Sequence, residues 1–270
     1  MGWGIMSRMD TLAEFMGHFQ LDAGDGARRR PQALAAVTRA FARIPYENVT
    51  KIIRRAEAGG DEQARRGPGE VIAGHIRWGA GGTCFSLTSA LRFLLRALGW
   101  DAEYILADRR YGRDTHSALL VWIDGGAHLL DPGYLLTEPV PLATGAPTVV
   151  ASAGERLLLT PDATGGKVDL ATLRGGRRVH RLTYKVAPVD DGEFGKAWDA
   201  SFRWDMMRYP LLARVSGARR SYLRGSMLQV SDADSVRRRD VPQDELVENV
   251  AREFGIHPSL VARALDLLRS

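Results

Sequence analysis

The chain has 270 residues, which suits one large domain or two to three small ones, and its 45% hydrophobic content supplies material for a core. The single cysteine, Cys84, excludes an intrachain disulfide and a zinc site built from several cysteines. No run approaches the roughly 18 apolar residues of a membrane span, and residues 1–10 show no secretory signal. We therefore expect a cytoplasmic protein that does not enter a membrane.

The basic residues give a formal charge of +5 and are almost all arginine, because only four of the 37 are lysine. Arginine presents a planar fork of donors that matches phosphate and carboxylate groups. Such a surface would favour a phosphorylated co-substrate or an acidic carrier protein, although solvated faces also account for arginine abundance. A nucleic-acid partner is not expected, because no zinc-finger, RRM or helix-turn-helix signature is present.

The first hundred residues are predicted to be helical. Apolar residues at helical spacing predict a helix over 11–19, capped by Asp10, and a second helix that begins at Pro31. The clearest helix runs over residues 85–98. The charged, glycine-rich residues 54–69 are predicted to form an exposed loop.

The middle third of the chain changes character and predicts a small antiparallel sheet or barrel. The dipeptide Asp124-Gly125 is a hairpin signal within it. The last third is mixed and ends in two helices. Strands are predicted over residues 102–107, 116–123, 127–130, 156–159, 178–186 and 226–230.

Cys84 follows a glycine-rich turn and stands at the start of the clearest helix. A free thiol is only a few per cent ionised at neutral pH. The unpaired N–H groups at a helix amino end and a nearby imidazole would both lower its pKa. Gly81 and Gly82 could present their N–H groups to a developing oxyanion. The setting suits a nucleophile, although a lone cysteine is more often a small buried hydrophobe.

His116 opens a predicted strand, and Asp131 ends the strand that returns beside it. If Asp124 and Gly125 form a two-residue type I′ turn, Asp131 lies opposite Ala118, two residues from His116 on the same face. The Cα atoms of His116 and Asp131 would then be roughly 7–8 Å apart, within side-chain reach. Asp131 would fix the imidazole tautomer and stabilise its charged form. A three-residue loop would instead put the two side chains on opposite faces.

Each of these residues, taken singly, also has a purely structural interpretation. Alone, His116 would suit a hydrogen-bonded core histidine and Asp131 a turn residue, so that only their combination with Cys84 is informative. His128 competes with His116 for the role of base, but strand alternation turns it away from Asp131. The other histidines show no metal-ligand spacing, and no metal site is expected.

Four segments and one histidine follow the order in which a known family has them. Residues 80–88 match the active-site signature Arg-Gly-Gly-x-Cys-Phe-Glu-x-Asn, and residues 45–48, Pro-Tyr-Glu-Asn, match the family's Pro-Phe-Glu-Asn. His116 matches a histidine that opens a strand, residues 131–134 match Asp-Val-Gly-Phe, and residues 252–256 match the C-terminal helix. The chain therefore resembles the arylamine N-acetyltransferase family over most of its length.

The resemblance implies an α+β fold of three parts around a papain-like catalytic core. These are an N-terminal helical bundle over 1–100, a central antiparallel β-barrel over 101–187 and a C-terminal α/β lid over 188–270.

The resemblance also implies ping-pong acyl transfer. Cys84 would accept an acyl group from acetyl-CoA or another acyl thioester and pass it to a small-molecule amine, with His116 and Asp131 completing the triad. Tyr46, Phe85 and Tyr134 would contact the substrate by analogy, although Phe85 suits a core anchor equally well. No permanently bound cofactor is implied.

Three signature positions differ from the family: its arginine is Ala80 here, its glutamate is Ser86 and its asparagine is Thr88. Glu47 is kept, so any ion-pair partner must come from elsewhere, and Arg77 is a candidate. These differences keep alternatives open. The donor could be an acyl chain on a carrier protein, as for an amide synthase of natural-product biosynthesis. A transglutaminase-like hydrolase shares the triad, and the sequence pI of 9.6 leaves a non-catalytic binding module as a further class.

Overall fold

The computed structural model describes residues 8–21, 31–136, 138–142, 145–152, 155–232 and 235–269. Most of the residues that bear on a secretory signal, 1–7, lie outside these ranges. Inside them, no helix is both long and apolar enough to span a bilayer. The helices are α1 (Arg8–His18), α2 (Pro31–Phe41), α3 (Val49–Glu57), α4 (Asp61–Ala64), α5 (Pro68–Trp78), α6 (Cys84–Ala97), α7 (Asp191–Ala200), α8 (Leu246–Phe254) and α9 (Pro258–Arg269).

The strands form two antiparallel sheets. Eight of them lie in the order β5-β4-β3-β2-β9-β8-β7-β6 and make a nearly closed barrel, and five lie in the order β1-β10-β11-β12-β13. The predicted α+β class is confirmed. The strands are β1 (Tyr46–Glu47), β2 (Ala102–Arg109), β3 (Gly112–Ile123), β4 (Gly126–Leu130), β5 (Val140–Pro141), β6 (Thr148–Ser152), β7 (Glu155–Pro161), β8 (Lys167–Arg174), β9 (Arg177–Lys185), β10 (Leu211–Ser216), β11 (Arg219–Arg224), β12 (Met227–Ser231) and β13 (Val236–Asp240).

Helix α6 lies at the centre of a hydrophobic cluster between the N-terminal helices and the barrel. Its leucines Leu87, Leu91, Leu94 and Leu95 follow the helical period and are all buried, where they pack against α1, α2, α5 and the inner faces of β2 and β3. The helix begins one residue earlier than predicted, at Cys84. The thiol is therefore part of the first turn of a helix that the core holds in place.

The exposed loop predicted over residues 54–69 is wrong. Helix α3 continues to Glu57, α4 follows, and Arg66 between α4 and α5 is buried. Several of the charged residues that indicated a loop form ion pairs with other helices, such as Arg54 with Glu70 at 3.4 Å and Arg65 with Asp199 at 2.6 Å. Asp10 is not an N-cap either, because α1 already includes Arg8. A charged composition therefore concealed ordered helical structure.

Helix α3, which packs against the last third of the chain, was not predicted, although Val49, Ile52 and Ile53 stand at helical spacing. Its apolar face, with Val49, Ile52 and Ile53, is buried in one cluster with residues of α8, α9 and the five-stranded sheet. Strand β1 likewise pairs with β10. The division of the chain after residues 100 and 187 stays a prediction.

Candidate active site

The turn before Cys84 is held by short backbone contacts. The Gly82 N–H donates to the Pro45 carbonyl at 3.3 Å, and the Gly82 carbonyl accepts the Glu47 N–H at 2.9 Å. A Cβ at Gly81 would lie 1.7 Å from the Pro45 oxygen, so only glycine allows this approach. The Gly81 N–H donates to Glu47 Oε1 at 3.2 Å. Both glycine N–H groups thus have internal partners, and their predicted role as oxyanion donors is wrong.

A buried ion pair supports the same turn from the other side. Arg66 Nη1 donates to the Gly81 carbonyl at 2.6 Å and to Thr50 Oγ1 at 2.7 Å, and it lies 3.7 Å from Glu47 Oε1. Glu47 and Arg66 are 0% and 3% exposed. Arg66 is therefore the partner of Glu47, and the expectation of Arg77, which is exposed, is wrong.

We expect Arg66→Met to lower the free energy of unfolding by about 3–5 kcal/mol, because it leaves the Glu47 carboxylate buried without a cation. Urea denaturation of the two proteins measures the difference. Arg77→Met is the matched control on the exposed face of α5 and should change stability by less than about 0.5 kcal/mol. Equal stability of the two variants would contradict a structural role for the pair.

Cys84 is 3% exposed and lies on the first turn of α6. Burial would raise the pKa of its thiol, but the hydrogen bond to His116 and the charges of His116, Arg109 and Lys51 outweigh it, so the pKa lies below its usual range. Lys51, on α3, is itself buried, and burial lowers its pKa to about 7 although the Cys84 charge opposes the shift. The surroundings thus favour a thiolate.

His116 and Asp131 meet as the hairpin geometry predicts. Leu119 pairs with Leu130 across β3 and β4, and positive φ angles of 49° at Asp124 and 79° at Gly125 mark the two-residue turn. His116 Nε2 lies 2.7 Å from Asp131 Oδ2, and both side chains are fully buried. Burial would lower the His116 pKa, but the Asp131 charge and hydrogen bond raise it to about 9.

Asp131 is oriented by partners other than the imidazole. Its Oδ1 accepts the Tyr134 N–H at 2.8 Å, and its Oδ2 accepts the Tyr184 hydroxyl at 2.5 Å. Burial would raise the pKa of this carboxyl, but His116, Tyr184 and the Tyr134 N–H together lower it. The sequence did not single out Tyr184. Its strand was predicted, but the barrel must close through the pairing of β2 with β9 before Tyr184 reaches Asp131.

Gly133 packs directly against Cys84 and the His116 imidazole. A Cβ at this position would lie 2.7 Å from the Cys84 Cβ and 2.9 Å from the His116 Cε1. Neither neighbour is a flexible chain end, so any added side chain must push the two groups apart.

We expect Gly133→Ala to lower kcat/KM for the reaction at Cys84 by about 10²-fold, because a displacement of the order of 1 Å is that costly for reacting groups. Steady-state kinetics measure the effect. Gly126→Ala, in the hairpin beyond the site, meets only ordinary contacts and should retain activity. Wild-type kcat/KM in Gly133→Ala would show that Cys84 and His116 need not be this close.

The three residues expected to contact substrate lie in different surroundings. Tyr46 and Tyr134 line a cavity of about 570 Å³. Phe85 is 0% exposed and lies in an aromatic cluster, with its ring centroid 5.4 Å from that of Phe194 and 6.0 Å from that of Trp204. The core-anchor alternative fits Phe85, and the substrate roles of all three stay predictions.

The cavity lies between the barrel and the five-stranded sheet and comes within one residue of the reacting groups, which do not line it themselves. Gly133, which touches Cys84 and His116, lines it, and so does Arg109, whose Nη2 lies 3.0 Å from His116 Nδ1. Glu155 is the carboxylate among the lining residues, and it pairs with Arg220. The lining arginines are Arg109, Arg110, Arg174, Arg181, Arg220 and Arg238.

Arg109 and Lys51 were not singled out from the sequence as residues of the site, for different reasons. Arg109 and His116 share one face of the β2–β3 hairpin, because Ala107 pairs with His116 and Arg109 is two residues further along. The alternation along β2, which places Arg109 on the face of His116, could have been recognised from the sequence. Lys51 lies on the unpredicted α3, where its ammonium donates to Ser201 Oγ and lies 4.4 Å from the ring centre of Phe202.

The residues at the three altered signature positions pack or form hydrogen bonds with neighbouring residues. Ala80 is buried against the C-terminal helices. Ser86 Oγ donates to the Thr83 carbonyl at 3.1 Å, and Thr88 Oγ1 donates to the Ser117 carbonyl at 3.2 Å. Across the described ranges, no group of three or more His, Cys, Asp or Glu side chains could hold a metal ion.

Known proteins resemble this chain both in sequence pattern and in structure. A family model described as N-acetyltransferase matches residues 32–261. The arylamine N-acetyltransferase of Mycobacterium abscessus has a similar structure, with 19% identity, a TM-score of 0.80 and coverage of 96% of this chain and 95% of that one. The Mycobacterium smegmatis arylamine N-acetyltransferase has 21% identity and a TM-score of 0.78, and the match covers 98% of this chain and 100% of that one. The Mycobacterium marinum arylamine N-acetyltransferase, solved in complex with CoA, has 17% identity and a TM-score of 0.79, and the match covers 95% of this chain and 98% of that one.

No curated protein sequence matches the chain significantly. The family match spans most of the chain, and the structures share its fold over nearly their whole length. This chain belongs to the arylamine N-acetyltransferase family and is an N-acetyltransferase.

Proposed function

We propose that this enzyme transfers a short acyl group from a coenzyme A thioester to a small amine through an acyl-enzyme at Cys84. The observation that carries the proposal is the contact between His116 and Asp131, 2.7 Å long and fully buried, beside a thiol whose pKa is lowered by that same His116. Cys84, His116 and Asp131 are therefore connected in space as a nucleophile, a base and an orienting carboxylate.

Each half of the reaction uses the same groups. The Cys84 thiolate attacks the thioester carbonyl carbon, the bond to the CoA sulfur breaks, and His116 gives its proton to the departing sulfur. The amine then attacks the acyl-enzyme and passes a proton to His116, and the Cys84 thiolate leaves. Asp131 keeps the proton of Nε2 in place, so that Nδ1 performs both transfers.

The cavity suits the donor. Its arginines would bind the phosphates of CoA, and Tyr46 and Tyr134 would border the path toward Cys84. The Mycobacterium marinum relative, whose structure contains CoA, supports this choice of donor. A reducing compartment such as the cytoplasm would keep the thiol free, and we propose that location.

Intact-protein mass spectrometry tests the proposal. Incubation with acetyl-CoA and no amine should add one acetyl group, located on the peptide that contains Cys84. Addition of an arylamine should discharge it and yield the amide. Rapid loss of the acetyl group to water, independent of amine, would favour the hydrolase alternative. The absence of any acyl-enzyme would overturn the proposal.

A carrier-protein thioester is a second candidate donor, favoured by the charges around the cavity. Arg174 and Arg181 line it from the β8–β9 hairpin and Arg238 from β13, where Arg237 and Arg239 are also exposed. An acidic carrier protein would be attracted to such a surface. If it is the donor, acetyl transfer from the carrier protein should be faster than from CoA, and the advantage should shrink with added salt.

A further inference from the structure

The guanidinium of Arg109 lies at the base itself. Its Nη2 is 3.0 Å from His116 Nδ1, and its Nη1 is 3.4 Å from the Tyr111 hydroxyl. Because Asp131 occupies Nε2, Nδ1 is the nitrogen left for Cys84. The thiol and Arg109 therefore converge on one nitrogen atom.

The β2–β3 hairpin fixes Arg109 in this place. Arg109 ends β2 opposite Gly112, at a register shift of the hairpin, and its backbone N–H donates to Thr115 Oγ1 at 3.1 Å. Since Arg109 lies on the same face of the hairpin as His116, the strand directs its side chain to the side of the sheet that carries the imidazole.

Arg109 has no acidic partner in the described part of the chain. Its Nε is buried and unpaired, and the groups that raise its pKa against burial are Tyr111, Tyr46, Cys84 and Tyr134. Arg220, by contrast, lines the same cavity and pairs with Glu155. Arg109 is half-buried, and a cation in this setting without an acidic side chain indicates a place where a ligand supplies the missing charge.

Arg109 competes with the substrate amine for the base once His116 has lost its proton. A guanidinium can only donate, so at 3.0 Å it would occupy the Nδ1 lone pair of a neutral His116, which must accept the proton of the amine. While Cys84 is a thiolate, the sulfur is the anion that faces Arg109. Acylation removes that charge before the amine arrives, so an acyl group that carries an anion would draw Arg109 away from Nδ1 more effectively than a neutral acyl group.

We propose that Arg109 is a carboxylate-binding, specificity-determining residue, and that the preferred acyl group is a short one that carries a terminal carboxylate. The inference rests on the proposed function of Cys84. Because Arg109 and the thiol meet at Nδ1, the carboxylate belongs only a few bonds from the thioester carbonyl, as in a malonyl or succinyl group. The arginine fork would bind it with two parallel hydrogen bonds.

Acyl-enzyme formation in the absence of amine tests this inference. Malonyl-CoA and acetoacetyl-CoA are a matched pair, similar in size and differing in the terminal charge. By rapid-quench mass spectrometry, we expect the malonyl-enzyme to form roughly ten- to a hundred-fold faster than the acetoacetyl-enzyme, the usual worth of a charged hydrogen bond.

Variants assign the preference to one residue. Arg109→Gln should remove the preference for malonyl, and Arg109→Lys should restore part of it. Arg110→Gln is the control, because Arg110 lines the same cavity, and it should keep the preference. Thermal unfolding of each variant confirms that it is folded.

Several results would overturn the inference. One is a wild-type protein that reacts faster with acetyl-CoA and acetoacetyl-CoA than with malonyl-CoA. Another is an Arg109→Gln variant that slows all donors equally, which would mean that Arg109 only stabilises the thiolate. A preference for carboxylate-bearing amines alone would place the charge on the acceptor. No acyl-enzyme from any thioester would end the proposed function as well.

Discussion

Cys84→Ala is expected to lower acyl transfer by roughly 10⁴-fold or more, because removal of a nucleophile leaves only binding and electrostatic effects. The thiol is the one cysteine of the chain, so no second sulfur can replace it. The side chain is small and packs at the first turn of α6, where alanine is a good helix former. Steady-state kinetics with an arylamine and acetyl-CoA measure the loss.

Stability separates a chemical effect from a structural one. The variant should unfold at nearly the wild-type urea concentration, and it should acquire no acetyl group in mass spectrometry. Wild-type turnover in the folded variant would refute the nucleophile. A variant that fails to fold would be replaced by Cys84→Ser, which keeps the size of the side chain and a hydroxyl in place of the thiol.

Asp131→Asn is expected to lower kcat by about 10³–10⁴-fold. Both Asp131 oxygens accept hydrogen bonds, Oδ1 from the Tyr134 N–H and Oδ2 from Tyr184 and His116. An asparagine must turn its NH₂ toward one of these donors. If the NH₂ faces His116, the imidazole proton moves to Nδ1, where a base needs its lone pair.

The control for Asp131→Asn lies in the same hairpin. Asp124 is at the tip with φ of 49°, a conformation that asparagine also adopts, so Asp124→Asn should retain full activity. If Asp131→Asn kept more than about a tenth of wild-type kcat, the carboxylate would not orient the base.

The site could be predicted where local chemistry decided it. The Asp124-Gly125 turn fixes the register of β3 and β4, and that register alone brings His116 and Asp131 together. Cys84 was equally accessible, because a glycine turn followed by a leucine-rich helix is a local pattern. These inferences needed no knowledge of distant contacts.

The support of the site could not be predicted, because it depends on residues far apart in the chain. Arg66 reaches Gly81 across 15 positions, and Tyr184 reaches Asp131 across 53. Strands β6, β8, β10, β11 and β13 and the two-residue strands β1 and β5 were not predicted either. The oxyanion hypothesis failed because the Gly82 N–H donates to the Pro45 carbonyl and the Gly81 N–H donates to the Glu47 carboxylate.

The shifted pKa values predict two pH dependences with opposite limits. A histidine pKa raised to about 9 means that the imidazolium persists below that pH and is lost above it, together with the stability that its pairing contributes. The Cys84 pKa is lowered, so the thiolate persists at higher pH. Above about pH 9, alkylation of Cys84 should continue while acyl transfer declines, because no proton remains for the departing CoA thiol.

The pH profile of Cys84 alkylation by iodoacetamide is the most direct measurement of an ionised thiol held by a buried imidazolium. The rate constant in the wild type should reach its plateau well below the ordinary thiol pKa of about 8.5, and the midpoint should move upward in Asp131→Asn. A wild-type midpoint at or above 8.5, unchanged by that substitution, would contradict the account.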